Sequence, residues 1–302
     1  MKRWLVRLLV GLPLTVLGVA AVGVAWNWDT IQRVFLGGLK VYETEPPVLP
    51  TQLARPAVLV FSKTNAFRHE EAIPAAKRLL SEIAEKRRWG IYLTDNGATF
   101  APELLARFDV VVFNNVSGDV FTPAQRSALR SYLENGGGFV GIHAAGDNSH
   151  PWPWYVEQVI GARFIGHPMD PQFQRATVNR QDADHPAGAR TPARWKHRDE
   201  WYSFAASPRR AGVHVIAAID ERSYSPGSFF GTDLAMGSDH PVAWWRCVGK
   251  GRAFYTAMGH TAASYSEPEM RALIGGALDW ANDHGGPWCS EKAGGETARQ
   301  VR

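Results

Sequence analysis

The sequence of 302 residues predicts an α/β domain on a doubly wound, mostly parallel sheet, and three observations carry that prediction. Short apolar runs of strand length recur at Ala57 to Phe61, Val110 to Phe113 and Phe139 to Ile142, as expected of strands buried on both faces. Segments with helical spacing alternate with them. The connections are short, which implies parallel strands joined by right-handed crossovers, here in flavodoxin-like order.

Each element follows from local chemistry. After the first strand comes the polar loop Ser62 to His69, then a helix from about Glu70 to Arg87 with Ile73, Ala76, Leu80, Ile83 and Ala84 on one face. Gly90 to Thr94 reads as a second strand ending at Asp95, and a short helix lies around Glu103 to Arg107. The third strand ends in Asn114 and Asn115. Thr122 and Pro123 open a helix, since threonine caps well and proline suits the first turn. It runs to Asn135 and is stopped by Gly136, Gly137 and Gly138.

The second half is less regular. A short helix is expected at Trp152 to Ile160, and strands at Phe173 to Asn179, Val213 to Ile219, Val242 to Arg246 and Arg252 to Met258. Gly249, Lys250 and Gly251 form a hairpin turn between the last two strands. A closing helix from about Pro268 to His284 turns Met270, Leu273, Ile274, Ala277, Leu278 and Trp280 inward. With no linker between the halves, a mixed extension of one sheet is expected rather than a second domain.

Composition is that of a folded protein, 45% hydrophobic and 21% charged. The net charge of +4 is spread along the chain with no dense basic run among aromatics, which argues against nucleic acid as a partner. Two cysteines, Cys247 and Cys289, exclude a thiolate zinc cage.

Lys2, Arg3 and Arg7 precede an uncharged apolar run from Leu8 to Trp26, close to the roughly 20 residues that cross a bilayer. Residues 1–28 therefore read as a membrane anchor or a cleaved signal segment, with the anchor favoured because signal cores are typically about 7–15 residues. Either reading places the domain on the extracytoplasmic side, the basic residues staying inside. Residues 29–54 form a linker. Asp29 to Val41 is weakly amphipathic, and Glu43 to Pro50 is extended and stiffened by proline. The domain proper spans 55–284, and 285–302 read as a disordered tail. In an oxidising compartment Cys247 and Cys289 could pair; the alternative is two unpaired thiols.

The stretch GGGFVGIHAAGD, Gly136 to Asp147, puts His143 where a buried strand turns into a loop. Ligands of open α/β sheets bind at such carboxyl ends. The imidazole could serve as base, acid or ligand, or hold the loop together. Asp147 could orient His143 or cap the next segment. Gly259 and His260 repeat the pattern after Tyr255, so two parallel neighbouring strands would open both imidazoles on one rim. Asp199 and Glu200 precede Trp201 and Tyr202; on a strand only one of the two acids can face the cleft.

Taken in order, FSKTNAFRHE, GGGFVGIHAAGD, GARFIGHP, DADHP, DEWY, HPVAWWR and GRAFYTAMGH resemble the trehalose-utilisation (ThuA-like) family over roughly Ala57 to Ala281. That resemblance implies a class I glutamine amidotransferase-like fold and a link to sugar metabolism. The matching corner of those amidotransferases carries a catalytic cysteine. Here it carries His143, and neither cysteine is near in sequence, so a thiol mechanism is not carried over.

His143, Glu200, His260 and Tyr255 are the candidates for catalysis. Asp147, Trp152, Trp154, His167 and Tyr202 are the candidates for substrate binding, the tryptophans as cleft walls. His69 and His167 lie at other loop entries, whereas His185, His197, His214 and His240 read as structural. His143, His167, Glu200 and His260 would together resemble a nitrogen–oxygen metal site, yet no HxH or HExxH pair occurs and no metal is assigned. The glycines at 136–138 end a helix rather than open one, so no phosphate cradle is present and no cofactor is named. The expected function is a tethered, exported enzyme using His/Glu acid–base chemistry on a sugar or oxidised sugar derivative. A non-catalytic carbohydrate-binding or scaffolding domain is the alternative, and the oligomeric state is open.

Overall fold

The computed structural model describes residues 22–283 and 287–289. Most of the run from Leu8 to Trp26, and most of the tail, lie outside the described residues. Among the described residues no helix is long and apolar enough to cross a membrane.

A nine-stranded sheet organises the described residues. Its strands in chain order are β1 (Ala57–Phe61), β2 (Gly90–Thr94), β3 (Val110–Asn114), β4 (Gly138–Ile142), β5 (Phe173–Arg180), β6 (Arg194–Glu200), β7 (His214–Asp220), β8 (His240–Val248) and β9 (Gly251–Thr256). Their spatial order is β2-β1-β3-β4-β9-β8-β7-β5-β6. The first four strands and β9 are parallel, with β9 beside β4 from Arg252↔Gly138 to Thr256↔Ile142. The remaining pairings are antiparallel, so the second half extends one sheet, as expected.

Side-chain alternation splits the core in two. Val58, Val60, Val110, Val112, Val140 and Ile142 face α2 (Ala72–Arg87) and α4 (Pro268–Asn282). Leu59, Phe61, Val111, Phe113 and Phe139 face the side of α3 (Pro123–Glu134) and the turn Tyr155–Ile160. Thr122 caps α3 in a capping box with Gln125, which explains why that start was legible.

Two segments outside the sheet are tied to it. The amphipathic segment is helical as α1 (Trp28–Phe35), and the extended stretch after it lies held against the domain. Lys63, almost fully buried, pairs with Glu43; Glu43 also accepts the Gly97 N–H at 2.8 Å, and Asn65 donates to Val41 O at 3.0 Å. A buried ammonium requires a fixed counter-charge, so this strap is anchored. Cys247 and Cys289 form a disulfide that ties β8 to Pro287–Cys289, so that part of the tail is docked against the domain.

Topology also sets where loops meet. The strands β1, β4 and β9 point the same way, and two antiparallel steps restore that direction at β7 and again at β6. Their carboxyl ends therefore share one edge. The β5–β7 ladder stops at Thr177↔Asp220, while the β5–β6 ladder continues to Phe173↔Glu200. The end of this hairpin overhangs the edge and carries Glu200 with it.

Candidate functional site

Four chain segments converge at this edge. His69 follows β1, His143 follows β4, Glu200 ends β6 and His260 follows β9. All but His260 are buried, and the His260 side chain is 15% exposed. One donor atom from each lies within 4.8 Å of the others, a spacing at which the set could hold a metal ion.

His143 stands at a sharp corner with φ +49°, a left-handed conformation that a non-glycine residue adopts at a cost of roughly 1–3 kcal/mol. The surroundings enforce it. The Tyr255 hydroxyl donates to His143 O at 2.8 Å. Gly146 permits that approach, because a Cβ there would stand 2.4 Å from the tyrosine ring. The ring is fixed as well: Nδ1–H donates to Ala257 O at 2.6 Å, and Tyr202 packs with its centroid 4.2 Å away. A carbonyl can only accept, so the proton sits on Nδ1 and Nε2 faces the cluster.

Glu200 is the hub. Its Oε2 lies 3.4 Å from His143 Nε2 and 3.0 Å from His260 Nδ1, while those two nitrogens are 3.1 Å apart. Gln172 donates to its Oε1 at 2.6 Å, and His167 Nδ1 lies 3.2 Å from the same oxygen. Burial alone would raise its pKa, but the hydrogen bonds and charges of His143 and His260 hold it well below the usual carboxylate range. For His143, burial works downward and is outweighed by the bond and charge of Glu200, leaving its pKa raised. Burial, with the neighbouring His143 and His260, pushes His69 well below the ordinary value, so it is neutral. Its buried Nδ1 has no hydrogen-bond partner.

Asp199 faces away from Glu200, as strand alternation requires. It accepts the N–H groups of Gly259 and His260 at 2.6 and 3.0 Å and the Ser264 hydroxyl at 3.1 Å. His197 bridges it to Glu267, at 3.0 Å from Asp199 and 2.5 Å from Glu267.

The structure thus brings His143, Glu200 and His260 together, with Tyr202 and His167 beside them. It does not bring in the rest. The Tyr255 hydroxyl is engaged with a backbone carbonyl instead of the cluster. Asp147 bonds Ser149 and lies 3.6 Å from His150, its carboxyl pushed up by burial. Trp152 and Trp154 pack on each other, with Arg126 and Arg130 over their faces, and neither bonds the cluster. Sequence reading left out His69 and Gln172 from the site and took His197 as structural without its two acids. His69 carried a usable signal, as a histidine in the loop leaving a parallel strand. Gln172 carried none.

A family model described as trehalose utilisation matches residues 57–281, which include all four converging residues. The chain belongs to the ThuA family. A solved ThuA-like protein from Bacteroides uniformis ATCC 8492 is 26% identical, with 78% of this chain and 95% of that one covered at a TM-score of 0.64. Another, from Parabacteroides merdae ATCC 43184, is 17% identical over 75% of this chain and 89% of that one at a TM-score of 0.55, and shares the fold. No curated protein matches this ThuA-family chain.

Proposed function

We propose that this ThuA-family protein is an enzyme that acts on a sugar or an oxidised sugar derivative by acid–base catalysis. The observation that carries the reading is the triangle of His143 Nε2, His260 Nδ1 and Glu200 Oε2, with sides of 3.0–3.4 Å, at the carboxyl edge of the sheet. A carboxylate beside two imidazoles orients them and places one within reach of a substrate, where it can accept or return a proton. His260 is the partly exposed member and meets the substrate, while buried His143, fixed on Ala257 O, holds Glu200 in place beside it. The sugar assignment is supported by the family's description as trehalose utilisation.

The test is turnover by purified protein offered mono- and disaccharides and their keto derivatives. Wild type should convert at least one, and His260→Ala and Glu200→Gln should lower the rate by roughly 10²–10⁴-fold, the usual contribution of a positioned acid or base. Saturable sugar binding without turnover would instead favour a non-catalytic carbohydrate-binding domain.

Export with membrane tethering belongs to the same proposal. It is supported by the apolar run Leu8 to Trp26 behind Lys2, Arg3 and Arg7, and by the disulfide, a bond that persists in oxidising compartments. Fractionation and protease accessibility of intact cells check it. A soluble, protected protein with both cysteines reduced would reject it.

A further inference from the structure

We propose that His69, His143, Glu200 and His260 bind one divalent first-row transition-metal ion of the zinc class. The inference deepens the proposed reaction, since the same groups would act around the ion, but it stands on geometry of its own.

Three donor atoms already have the spacing that an ion imposes. Ligands about 2.0–2.1 Å from a tetrahedral ion stand about 3.3 Å from one another. The separations among His143 Nε2, His260 Nδ1 and Glu200 Oε2 are 3.1, 3.0 and 3.4 Å. Two imidazoles and one carboxylate form a donor set suited to zinc and its neighbours and poor for calcium or magnesium, which prefer all-oxygen shells.

The hydrogen-bond pattern leaves a place for a cation as well. With its Nδ1 proton committed to Ala257 O, His143 points Nε2 at the carboxylate oxygen of Glu200. A positive centre has to lie between these two acceptors, and a metal ion can take the place of a second ring proton there. His69 brings a fourth nitrogen within 4.8 Å, and its buried Nδ1 has no partner although its ring lies among the others, centroids 4.8 Å from His143 and 4.4 Å from His260. A buried polar atom without a partner is uncommon and points to a missing one.

The groups behind the donors are those that metal ligands require. Ala257 O fixes the His143 tautomer, Gln172 holds the second oxygen of Glu200, and Asp199 clamps the backbone of His260. Such support orients each donor before the ion arrives.

The experiment uses the full chain, purified without a metal-affinity column. Elemental analysis should find about one zinc-class ion per chain, removable by a chelator and restored by Zn²⁺. Cobalt(II) added to the stripped protein should give visible d–d bands, and saturating Zn²⁺ should raise its Tm. His260→Ala and Glu200→Gln should weaken binding at least tenfold while the far-ultraviolet circular dichroism stays that of wild type. His69→Asn, a milder change, should also weaken it. A folded wild-type chain with no stoichiometric ion, no cobalt bands and no Tm response to Zn²⁺ would overturn the inference. Turnover by a wild-type chain that binds no ion overturns it while leaving the acid–base reading intact. One bound ion with no turnover of any sugar rejects that reading alone.

Discussion

The carboxylate of Asp199 holds the backbone of His260 at 3.0 Å, while its chain neighbour Glu200 holds the side chain of the same residue at 3.0 Å. One dipeptide on an overhanging strand end thus fixes a distant loop twice, through groups that point opposite ways.

Replacing Asp199 by alanine should therefore do more than remove a hydrogen bond. It strands the N–H groups of Gly259 and His260 and leaves His197 without one of its two acids. Breaking one side of a buried charge pair typically costs about 3–5 kcal/mol, so urea denaturation should show a loss of that order. A loss under about 1 kcal/mol would show that the loop does not depend on this clamp.

Stability should fall on the alkaline side because of His197. Burial opposes its charge, but Asp199 and Glu267 outweigh burial and raise its pKa from 6.5 to about 9. The charged form is thus favoured by folding. Its contribution is complete below about pH 6.5 and is lost as pH rises through about 9. The shift corresponds to roughly 3 kcal/mol at most. Denaturation midpoints of wild type should drop between pH 6.5 and 9.5 more steeply than those of His197→Gln, and equal slopes would refute the assignment.

Tyr255→Phe separates positioning from chemistry. The hydroxyl meets His143 O, so its loss should cost about 1 kcal/mol in stability and lower turnover modestly. Abolished turnover with an unchanged Tm would instead make Tyr255 a proton donor.

The disulfide closes a span of 42 residues from Cys247 to Cys289. Loop-closure entropy for that span is worth up to about 4 kcal/mol. Cys289→Ser, or wild type under reductant, should melt lower by several degrees. No change would mean that Trp288, packed against Trp245 and His185, suffices to dock the segment.

What the sequence made legible was the part governed by local rules. Strands β1 to β4 announce themselves as apolar runs, α3 by its cap and proline, and the rim positions of His143 and His260 follow once β4 and β9 are parallel neighbours. The site was half legible for the same reason. Glu200 reaches the imidazoles only because β5 and β6 pair beyond the end of β7, a register fact with no local signature. Gln172 depends on that overhang too. The docked strap was hidden because Glu43 and Lys63 are unremarkable charges until burial joins them.

The four converging residues are drawn from positions 69, 143, 200 and 260, so a fragment that omits either end of that span lacks part of the site. The four groups meet only where β1, β4, β9 and the β5–β6 hairpin share one sheet. A chain cut short of residue 260 keeps three of the four groups and leaves Oε2 of Glu200 without one of its two imidazole neighbours.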